Sequence, residues 1–311
     1  MSPITPRPWP RYSGMLRLGI DLGGTKIEVA VLDVAGQFVF RERLPTPQGD
    51  YAGTLAAITR LVQQAEVAVG RVASIGMGTP GAISPRSGLI KNANSVVLNG
   101  KPLKQDIEAR LNRPVAMAND ANCLALSEVR DGAAAGASSV FGVILGTGVG
   151  GALVVSGELI PGHHAIAGEW GHNPLPWQNK AEYPGPLCWC GKQGCIEQWL
   201  SGPALARDYA EVTGQSMAGA DIITQAQAGE AAARAALNRY IDRLARALAQ
   251  VINLFDPEVI VLGGGLSNVA ELYTEVPALW SQWVFSDAVE TRLVAPLFGD
   301  SSGVRGAAFL Q

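Results

Sequence analysis

Two stretches of the sequence, LGIDLGGT (18–25) and FGVILGTG (141–148), decide the fold. Each is an apolar run that ends in glycines, and each leads into a second apolar run that ends in a tight turn, at Gly36 and at Gly157. A repeated unit of strand, glycine turn and strand predicts two half-domains of similar structure. The competing interpretation is coincidence, because unrelated strands also turn at glycine.

The rest of the chain alternates predicted strands and helices, which indicates an α/β fold. Apolar residues at helical spacing predict the helices, and the longest of them ends where Asp256-Pro257 cannot continue it. The predicted helices cover 51–69, the region near 102–112, 230–255 and 301–309, and the predicted strands cover 17–21, 27–34, 37–44, 72–78, 114–118 and part of 257–265.

Composition favours a well-buried globular protein. The chain has 311 residues, of which 48% are hydrophobic and 16% charged, with a net charge of −3. It shows no basic stripe of the kind that binds nucleic acid. No apolar run approaches the roughly 18–20 residues that a membrane span needs, so we expect neither nucleic acid nor membrane as a partner.

The opening residues and the cysteines bear on the compartment. MSPITPRPWPRYSG (1–14) has prolines where a signal peptide needs an apolar core, so secretion is not expected. We expect residues 1–14 to be a disordered extension, or a start assigned too early, with Met15 as the functional beginning. Four cysteines without a secretory signal indicate the reducing cytoplasm, where clustered thiols favour metal over disulfides.

Three glycine turns are candidates for phosphate binding: DLGGT (21–25), GTGVGG (146–151) and GGG (263–265). Each follows an apolar strand, and glycine lets backbone N–H groups approach an anion closely. None fits the P-loop pattern or a well-placed dinucleotide fingerprint. The three turns together favour a nucleotide held between two lobes.

One position separates the two copies of the repeat. Asp21 in the first copy aligns with Ile144 in the second. A carboxylate beside a phosphate-binding turn is unfavourable unless a cation lies between them, so Asp21 is assigned to Mg²⁺, through water. The simpler alternative is an aspartate that opens a turn.

The segment MANDANC (117–123) places polar residues where a strand ends and a helix begins. Phosphoryl transfer to an alcohol needs a carboxylate that can accept the hydroxyl proton, and Asp120 is the candidate base. The alternative is that Asp120 or Asn119 simply caps the helix.

A candidate zinc site combines His172 with Cys188, Cys190 and Cys195. Zinc takes four nitrogen or sulfur ligands in a tetrahedron, and closely spaced cysteines supply them at little cost in loop entropy. The alternative is a set of free structural thiols. The fourth cysteine, Cys123, is expected in the core, and the other two histidines, at 163 and 164, in an exposed loop.

These motifs together resemble the ROK family of sugar kinases and repressors over nearly the whole chain, from residue 16 to 310. The phosphate motif is matched as DLGGTK (21–26), the sugar motif as NDAN (119–122), and the zinc motif as EWGH (169–172) with C-x-C-G-x-x-G-C-x-E (188–197). Longer strings resemble the bacterial fructokinase (manno-fructokinase) branch: GTPGAIS (78–84), KNANS (91–95), NDANCLALSE (119–128), DGAAAGA (131–137), GEWGHNPLPW (168–177), CGKQGCIE (190–197) and DSSGVRGAA (300–308).

The resemblance implies a two-lobed, actin-like (ribonuclease-H-like) ATPase fold. The N-terminal lobe would span 15–133 with the last helix, 301–311, and the C-terminal lobe 134–300, with the zinc loop at 172–195. ATP with Mg²⁺ would lie between the lobes. The residues implied for ATP are Asp21, Gly23, Gly24, Thr25, Lys26, Gly146, Thr147 and Gly148, with Gly264 and Gly265 near the adenosine.

The same resemblance implies a sugar site in which the zinc has a positional role. The residues implied for sugar contact are Asn119, Glu169, His172, Glu197 and, as weaker assignments, Gly81 and Asn94, with Asp120 as base. His172 would use one ring nitrogen for zinc and the other for sugar. The long insert at 173–187 departs from other branches, and its role in sugar choice or subunit contact stays open.

The function implied is ATP-dependent phosphorylation of a hexose, fructose preferred and mannose next, on the 6-hydroxyl. Glucose or N-acetylglucosamine is the alternative acceptor. A sugar-responsive repressor would need a helix-turn-helix domain, and only 14 residues precede Met15. A non-catalytic sugar sensor is the remaining class. Family habit implies a homodimer.

Overall fold

Each glycine turn of the sequence repeat closes a β-hairpin in the computed structural model, which describes residues 15–310. The expectation for residues 1–14 lies outside the described residues. The strands are β1 (Arg17–Leu22), β2 (Lys26–Leu32), β3 (Phe38–Pro45), β4 (Ser74–Thr79), β5 (Ala82–Ile83), β6 (Ile90–Lys91), β7 (Ala116–Asn119), β8 (Ser139–Leu145), β9 (Val149–Val155), β10 (Glu158–Leu159), β11 (Val259–Gly263) and β12 (Arg292–Val294).

The helices complete the alternating pattern. They are α1 (Tyr51–Val69), α2 (Leu103–Leu111), α3 (Asp120–Asp131), α4 (Glu197–Leu200), α5 (Gly202–Thr213), α6 (Gly219–Gln227), α7 (Ala231–Phe255), α8 (Leu272–Leu279) and α9 (Ser302–Phe309). The α/β prediction is confirmed, and the predicted helix at 51–69 has the bounds of α1. Within residues 15–310, no helix is long and apolar enough to cross a membrane.

The two large sheets share one strand plan. The first runs β3-β2-β1-β4-β7, with β1 antiparallel to β2 and parallel to β4. The second runs β10-β9-β8-β11-β12, with β8 parallel to β11. Asp21 pairs with Gly78 on β4, and Ile144 pairs with Gly263 on β11, so the two residues hold equivalent places in their sheets. Asp21 and Ile144 therefore align in the structure as well as in the sequence.

The second strand of the first hairpin is shorter than predicted. The sequence predicts a strand to residue 34, whereas β2 ends at Leu32. The carboxylate of Asp33 accepts hydrogen bonds from the backbone N–H groups of Ala35 and Gln37, both at 2.9 Å. An aspartate that binds its own following backbone closes a turn, which ends the strand.

The chain divides into two compact units. One comprises the residues up to Ser138, Ala152–Ala167 and those from Asp300, and the other comprises Ser139–Gly151 and Gly168–Gly299. The expectation of an uninterrupted second lobe over 134–300 differs from this grouping at residues 134–138, 152–167 and 300.

Helix α9 packs in the first unit against β1, β4 and α3 at unusually short range. A Cβ on Gly19 would lie 2.0 Å from the carbonyl oxygen of Val304, and one on Gly76 would lie 1.8 Å from that of Ala307. Ser302 Oγ also donates to a buried carboxylate oxygen of Glu128 at 2.7 Å. Glycine in both strands is what lets the helix backbone reach the sheet.

Candidate functional site

The first glycine turn, residues 23–25, is held from its carbonyl side. Thr46 Oγ1 donates to the Gly23 carbonyl oxygen at 2.7 Å, and Gln48 Nε2 donates to that of Gly24 at 2.6 Å. Gly24 and Thr25 are exposed. A short exposed turn with fixed carbonyls suits close approach by an anion.

Asp21 lies at the end of β1, just before this turn, and is half-buried. Its pKa is raised from 3.8 to about 7, mainly by burial and then by the neighbouring carboxylates of Asp120 and Glu28, against the opposing charges of Lys26 and Arg43. A carboxyl group that is costly to ionise alone is one that a cation would stabilise. This fits the sequence assignment of Asp21 to Mg²⁺.

Asn119 and Asp120 both accept hydrogen bonds from the first-turn backbone of α3. Asn119 is the N-cap of α3, because its side-chain oxygen accepts from the backbone N–H of Asn122 at 2.7 Å. Asp120 is the first residue of the helix, and it is exposed. Its Oδ1 accepts from the backbone N–H of the next residue, Ala121, at 2.8 Å. The carboxylate of Asp120 is thus presented at the carboxyl edge of the first sheet.

Two further predicted sugar residues lie in the first unit. Gly81 has φ +73°, and a Cβ there would lie 2.4 Å from the Lys91 carbonyl oxygen, so only glycine fits. Asn94 is exposed, in a loop that Asn99 holds through two hydrogen bonds to the backbone of Ala93. The next residue of this loop, Ser95, lies against Gly24. Its Oγ is 3.5 Å from the position that a Cβ on Gly24 would take.

The second glycine turn, residues 146–148, joins β8 to β9. The Gly146 carbonyl oxygen accepts from Gly202 N–H at 2.8 Å, while Thr147 is exposed. A Cβ on Gly148 would lie 2.7 Å from Glu197 Oε2. A side chain at this position would therefore displace the Glu197 carboxylate.

The third glycine turn follows β11. Gly264 has φ +81°, and a Cβ there would lie 2.5 Å from the Leu145 carbonyl oxygen. Gly265 has open space around it, and both glycines are exposed.

The four predicted zinc ligands converge in the second unit. The ligand atoms of His172, Cys188, Cys190 and Cys195 all lie within 4.8 Å of one another. His172 Nδ1 is 3.7 Å from Cys188 Sγ, and Cys190 Sγ is 3.6 Å from Cys195 Sγ. Ligands at about 2.0–2.3 Å from a tetrahedral zinc are separated by roughly 3.3–3.8 Å, so the donor set and these two separations fit that ion.

The ring of His172 suits the double role that the resemblance implies. Its Nδ1 faces the cluster, which leaves Nε2 for a second partner. Glu169 lies three residues before it, half-buried, at the start of the short 3₁₀ turn Trp170–His172. The indole N–H of Trp170 donates to the Gly150 carbonyl oxygen at 2.9 Å, which ties this turn to the β8–β9 hairpin.

Glu197 is buried at the first position of α4, and both of its carboxylate oxygens have protein donors. Oε2 accepts from the backbone N–H of Val149 at 3.0 Å, and Oε1 accepts from the indole N–H of Trp189 at 2.7 Å. Sequence reasoning missed Trp189. Its place between Cys188 and Cys190 was the available signal.

The 173–187 insert is anchored to α7 by a buried ionic cluster that the sequence did not predict. Glu182 is buried and accepts from Arg243 Nε at 2.9 Å and from Arg246 Nη2 at 2.8 Å. Arg246 also donates to the carbonyl oxygens of Pro176 and Trp177, both at 3.0 Å. Burial alone would raise the pKa of Glu182, but the hydrogen bonds from both arginines hold it below its usual value.

Comparison with known proteins bears on the family and its branches. A family model described as "ROK family" matches residues 17–311. The N-acetyl-D-glucosamine kinase of Pectobacterium atrosepticum is 40% identical over 297 residues, which are 94% of this chain and 98% of that protein. Among solved structures, a ROK hexokinase from Thermus thermophilus matches with a TM-score of 0.82 at 32% identity, over 94% of this chain and 97% of that one.

A ROK family glucokinase from Streptomyces griseus, solved in complex with glucose and AMPPNP, matches with a TM-score of 0.80 at 30% identity, over 94% of this chain and 98% of that one. These relatives do not support the prediction of the fructokinase branch. Their names describe an N-acetyl-D-glucosamine kinase, a hexokinase and a glucokinase. The fold prediction is confirmed, since the ROK sugar kinases have the actin-like ATPase fold. On the family model and on these relatives, the chain belongs to the ROK family.

Proposed function

We propose that the protein is an ATP-dependent sugar kinase that phosphorylates N-acetyl-D-glucosamine on its 6-hydroxyl, with Asp120 as the general base. The observation that carries the catalytic part is the arrangement of Asn119 and Asp120 at the start of α3. Asn119 N-caps the helix through the Asn122 N–H, and the exposed Asp120 lies close enough to Asp21 for its charge to raise the pKa of that carboxyl. The relative at 40% identity supports the choice of acceptor.

In this proposal the first unit supplies the base and one phosphate-binding turn. Asp120 accepts the proton of the attacking hydroxyl while the oxygen forms its bond to the terminal phosphorus of ATP. The exposed turn at 23–25 offers backbone N–H groups to phosphate, with Lys26 beside it. Asp21 would hold Mg²⁺ through water, and this ion supplies charge neutralisation at the phosphates.

The second unit supplies the other phosphate-binding turn and the remaining sugar contacts. Residues 146–148 would face the nucleotide phosphates, with Gly264 and Gly265 near the adenosine. Glu169, His172 Nε2 and Glu197 would bind sugar hydroxyls, together with Asn119, Gly81 and Asn94 of the first unit. Zinc held by His172 and the three cysteines would fix the direction of the His172 ring, because a metal ligand cannot rotate freely.

The test is a coupled ADP-release assay of the purified protein with ATP, Mg²⁺ and a panel of N-acetylglucosamine, glucose, mannose and fructose. We expect the highest kcat/KM with N-acetylglucosamine, and the product is expected to carry phosphate on oxygen 6 by phosphorus–proton correlation spectroscopy. A higher kcat/KM for fructose would replace the proposed acceptor by that of the fructokinase branch. No sugar-stimulated ADP release with any hexose would overturn the kinase proposal.

The subunit number is a separate proposal. We propose a homodimer, on the family resemblance alone. Light scattering coupled to gel filtration measures the molar mass directly, and a mass near that of one chain at micromolar concentration would contradict it.

A further inference from the structure

Trp189 is a large apolar side chain that is held in place although it is 59% exposed. Its ring edge meets the ring of His172, with centroids 4.9 Å apart and planes at 89°. Its indole N–H donates to Glu197 Oε1 at 2.7 Å. A hydrogen bond to a carboxylate is stronger than one between neutral groups, so the indole is fixed at both ends.

The carboxylate that receives this hydrogen bond reaches from the cysteine loop to the second glycine turn. Glu197 Oε2 accepts from the backbone N–H of Val149 at 3.0 Å and fills the space beside Gly148 that a Cβ would need. Val149 is the first residue after the turn at 146–148. The hydrogen bond that the Val149 N–H makes therefore depends on the position of the Glu197 side chain.

The cysteine loop determines where Trp189 lies. Both of its sequence neighbours, Cys188 and Cys190, belong to the proposed zinc site, and so does His172, which its ring contacts. A metal bound to these ligands removes freedom from the backbone on both sides of Trp189. Contacts thus run without interruption from the metal ligands through Trp189 and Glu197 to Val149.

We propose that Trp189 is a positioning residue that holds Glu197 against the second glycine turn, so that an ordered cysteine loop is required for an ordered turn. The inference rests on the proposed function only where it names nucleotide phosphate as the ligand of that turn. Its consequence is that loss of zinc, or of the indole N–H, weakens the interaction with nucleotide as well as that with sugar.

The decisive variant is Trp189→Phe, which keeps an aromatic ring against His172 and removes the donor to Glu197. The matched control is Leu187→Ala, which changes a side chain of the same loop that is 70% exposed. Hydrogen exchange at the Val149 amide is measured without substrate, beside zinc content and the KM for ATP. In W189F we expect Val149 to exchange about tenfold faster, and the KM for ATP to rise about fivefold with a smaller change in kcat.

Two further arms do not depend on the folding of that variant. Removal of zinc from the wild-type protein with a chelator is expected to speed Val149 exchange by at least as much as W189F does. Glu197→Ala, which removes the acceptor itself, is expected to do the same. Unchanged Val149 exchange in W189F with zinc still bound, or in the chelated wild type, overturns the inference.

These outcomes are separable from those of the kinase assay. An active sugar kinase with unchanged Val149 exchange would leave the proposed function standing and remove the role of Trp189. Faster exchange in a protein that phosphorylates no hexose would keep the coupling and remove the proposed function.

Discussion

The side-chain oxygen of Asn119 accepts a hydrogen bond from the backbone N–H of Asn122 at 2.7 Å, beside Asp120, whose own carboxylate accepts from the N–H of Ala121 at 2.8 Å. A helix N-terminus carries a partial positive charge that favours an ionised carboxylate. Asp120 is the first residue of this helix, and it is exposed.

Replacement of Asp120 by asparagine tests the base directly. We expect kcat to fall by about 10²–10⁴, because an amide cannot accept the hydroxyl proton, while the Kd for ADP changes little. The coupled assay and calorimetric titration with ADP measure the two quantities. Asp287→Asn, which removes an exposed carboxylate elsewhere, is the control for net charge. Retention of full sugar-kinase turnover in D120N would remove the assignment.

Serine in place of Cys188 or Cys195 tests the zinc site. Each substitution removes a thiolate ligand, so we expect zinc to fall well below one ion per chain and activity to be lost with it. Elemental analysis of the purified protein measures the metal. Cys123→Ala is the matched control and should keep its zinc, since Cys123 lies outside the cluster. One zinc per chain in the Cys188→Ser, Cys195→Ser double variant would contradict the ligand set.

The raised pKa of Asp21 predicts a dependence of stability on pH. The folded protein keeps a proton on Asp21 up to a pH of about 7, whereas the unfolded chain releases it near 3.8. The stabilising effect is therefore complete below about 4 and is lost as the pH rises through about 7. As the pH rises from about 4 to about 7, we expect the unfolding free energy of Asp21→Asn to increase relative to that of the wild type. Above this range the difference between the two should stay constant. Urea denaturation without added Mg²⁺ measures both free energies. A difference that is constant from pH 4 to 8 would count against the shift.

Neutralising Glu182 should destabilise the protein strongly. Glu182→Gln removes the carboxylate that Arg243 and Arg246 share and leaves them their other partners, among them Asp208 and Asp242, so we expect a loss of about 1.5–3 kcal/mol. The control is Glu258→Gln, whose partner Arg292 lies 3.7 Å away with both side chains about half exposed, and it should cost under about 1 kcal/mol. Urea denaturation compares the two, and equal losses would show that burial is not the cause.

The close approach of α9 to the first sheet predicts that Gly76 cannot carry even a methyl group. A Cβ there would lie 1.8 Å from the Ala307 carbonyl oxygen, so we expect Gly76→Ala to cost about 1–3 kcal/mol or more. Gly265→Ala is the matched control, because nothing lies within 4 Å of its Cβ position. Thermal unfolding of both variants measures the difference. A Gly76→Ala protein as stable as the control would show that the helix can move away from the sheet.

Much of the fold could be predicted because its signals are local. The apolar spacing over 51–69 gives α1 its bounds, and Asp256-Pro257 marks the end of α7. The repeat was visible because glycine turns leave a pattern in the chain. The end of β2 was misplaced because a side-chain oxygen of Asp33, rather than the apolar pattern, closes the turn.

Much of the site could also be predicted, because the sequence indicates which residues belong to it. The role of each residue could not be predicted in the same way. The four zinc candidates converge as expected because histidine and cysteine at short spacing have few other uses. Asn119 and Asp120 are equally good caps by type, and only the structure shows that Asn119 accepts from Asn122 N–H and Asp120 from Ala121 N–H. The pairing of Glu182 with Arg246 spans 64 positions, and nothing local in the sequence indicates it.

The docking of α9 orders events during synthesis of the chain. Ser302 donates to Glu128, 174 positions earlier, so the strands of the first sheet and α3 are made well before the helix that packs on them. At roughly 5–20 residues per second, this interval lasts on the order of ten to thirty seconds. During that time the apolar residues that cluster with α9, among them Leu32, Cys123 and Leu126, have no helix to cover them.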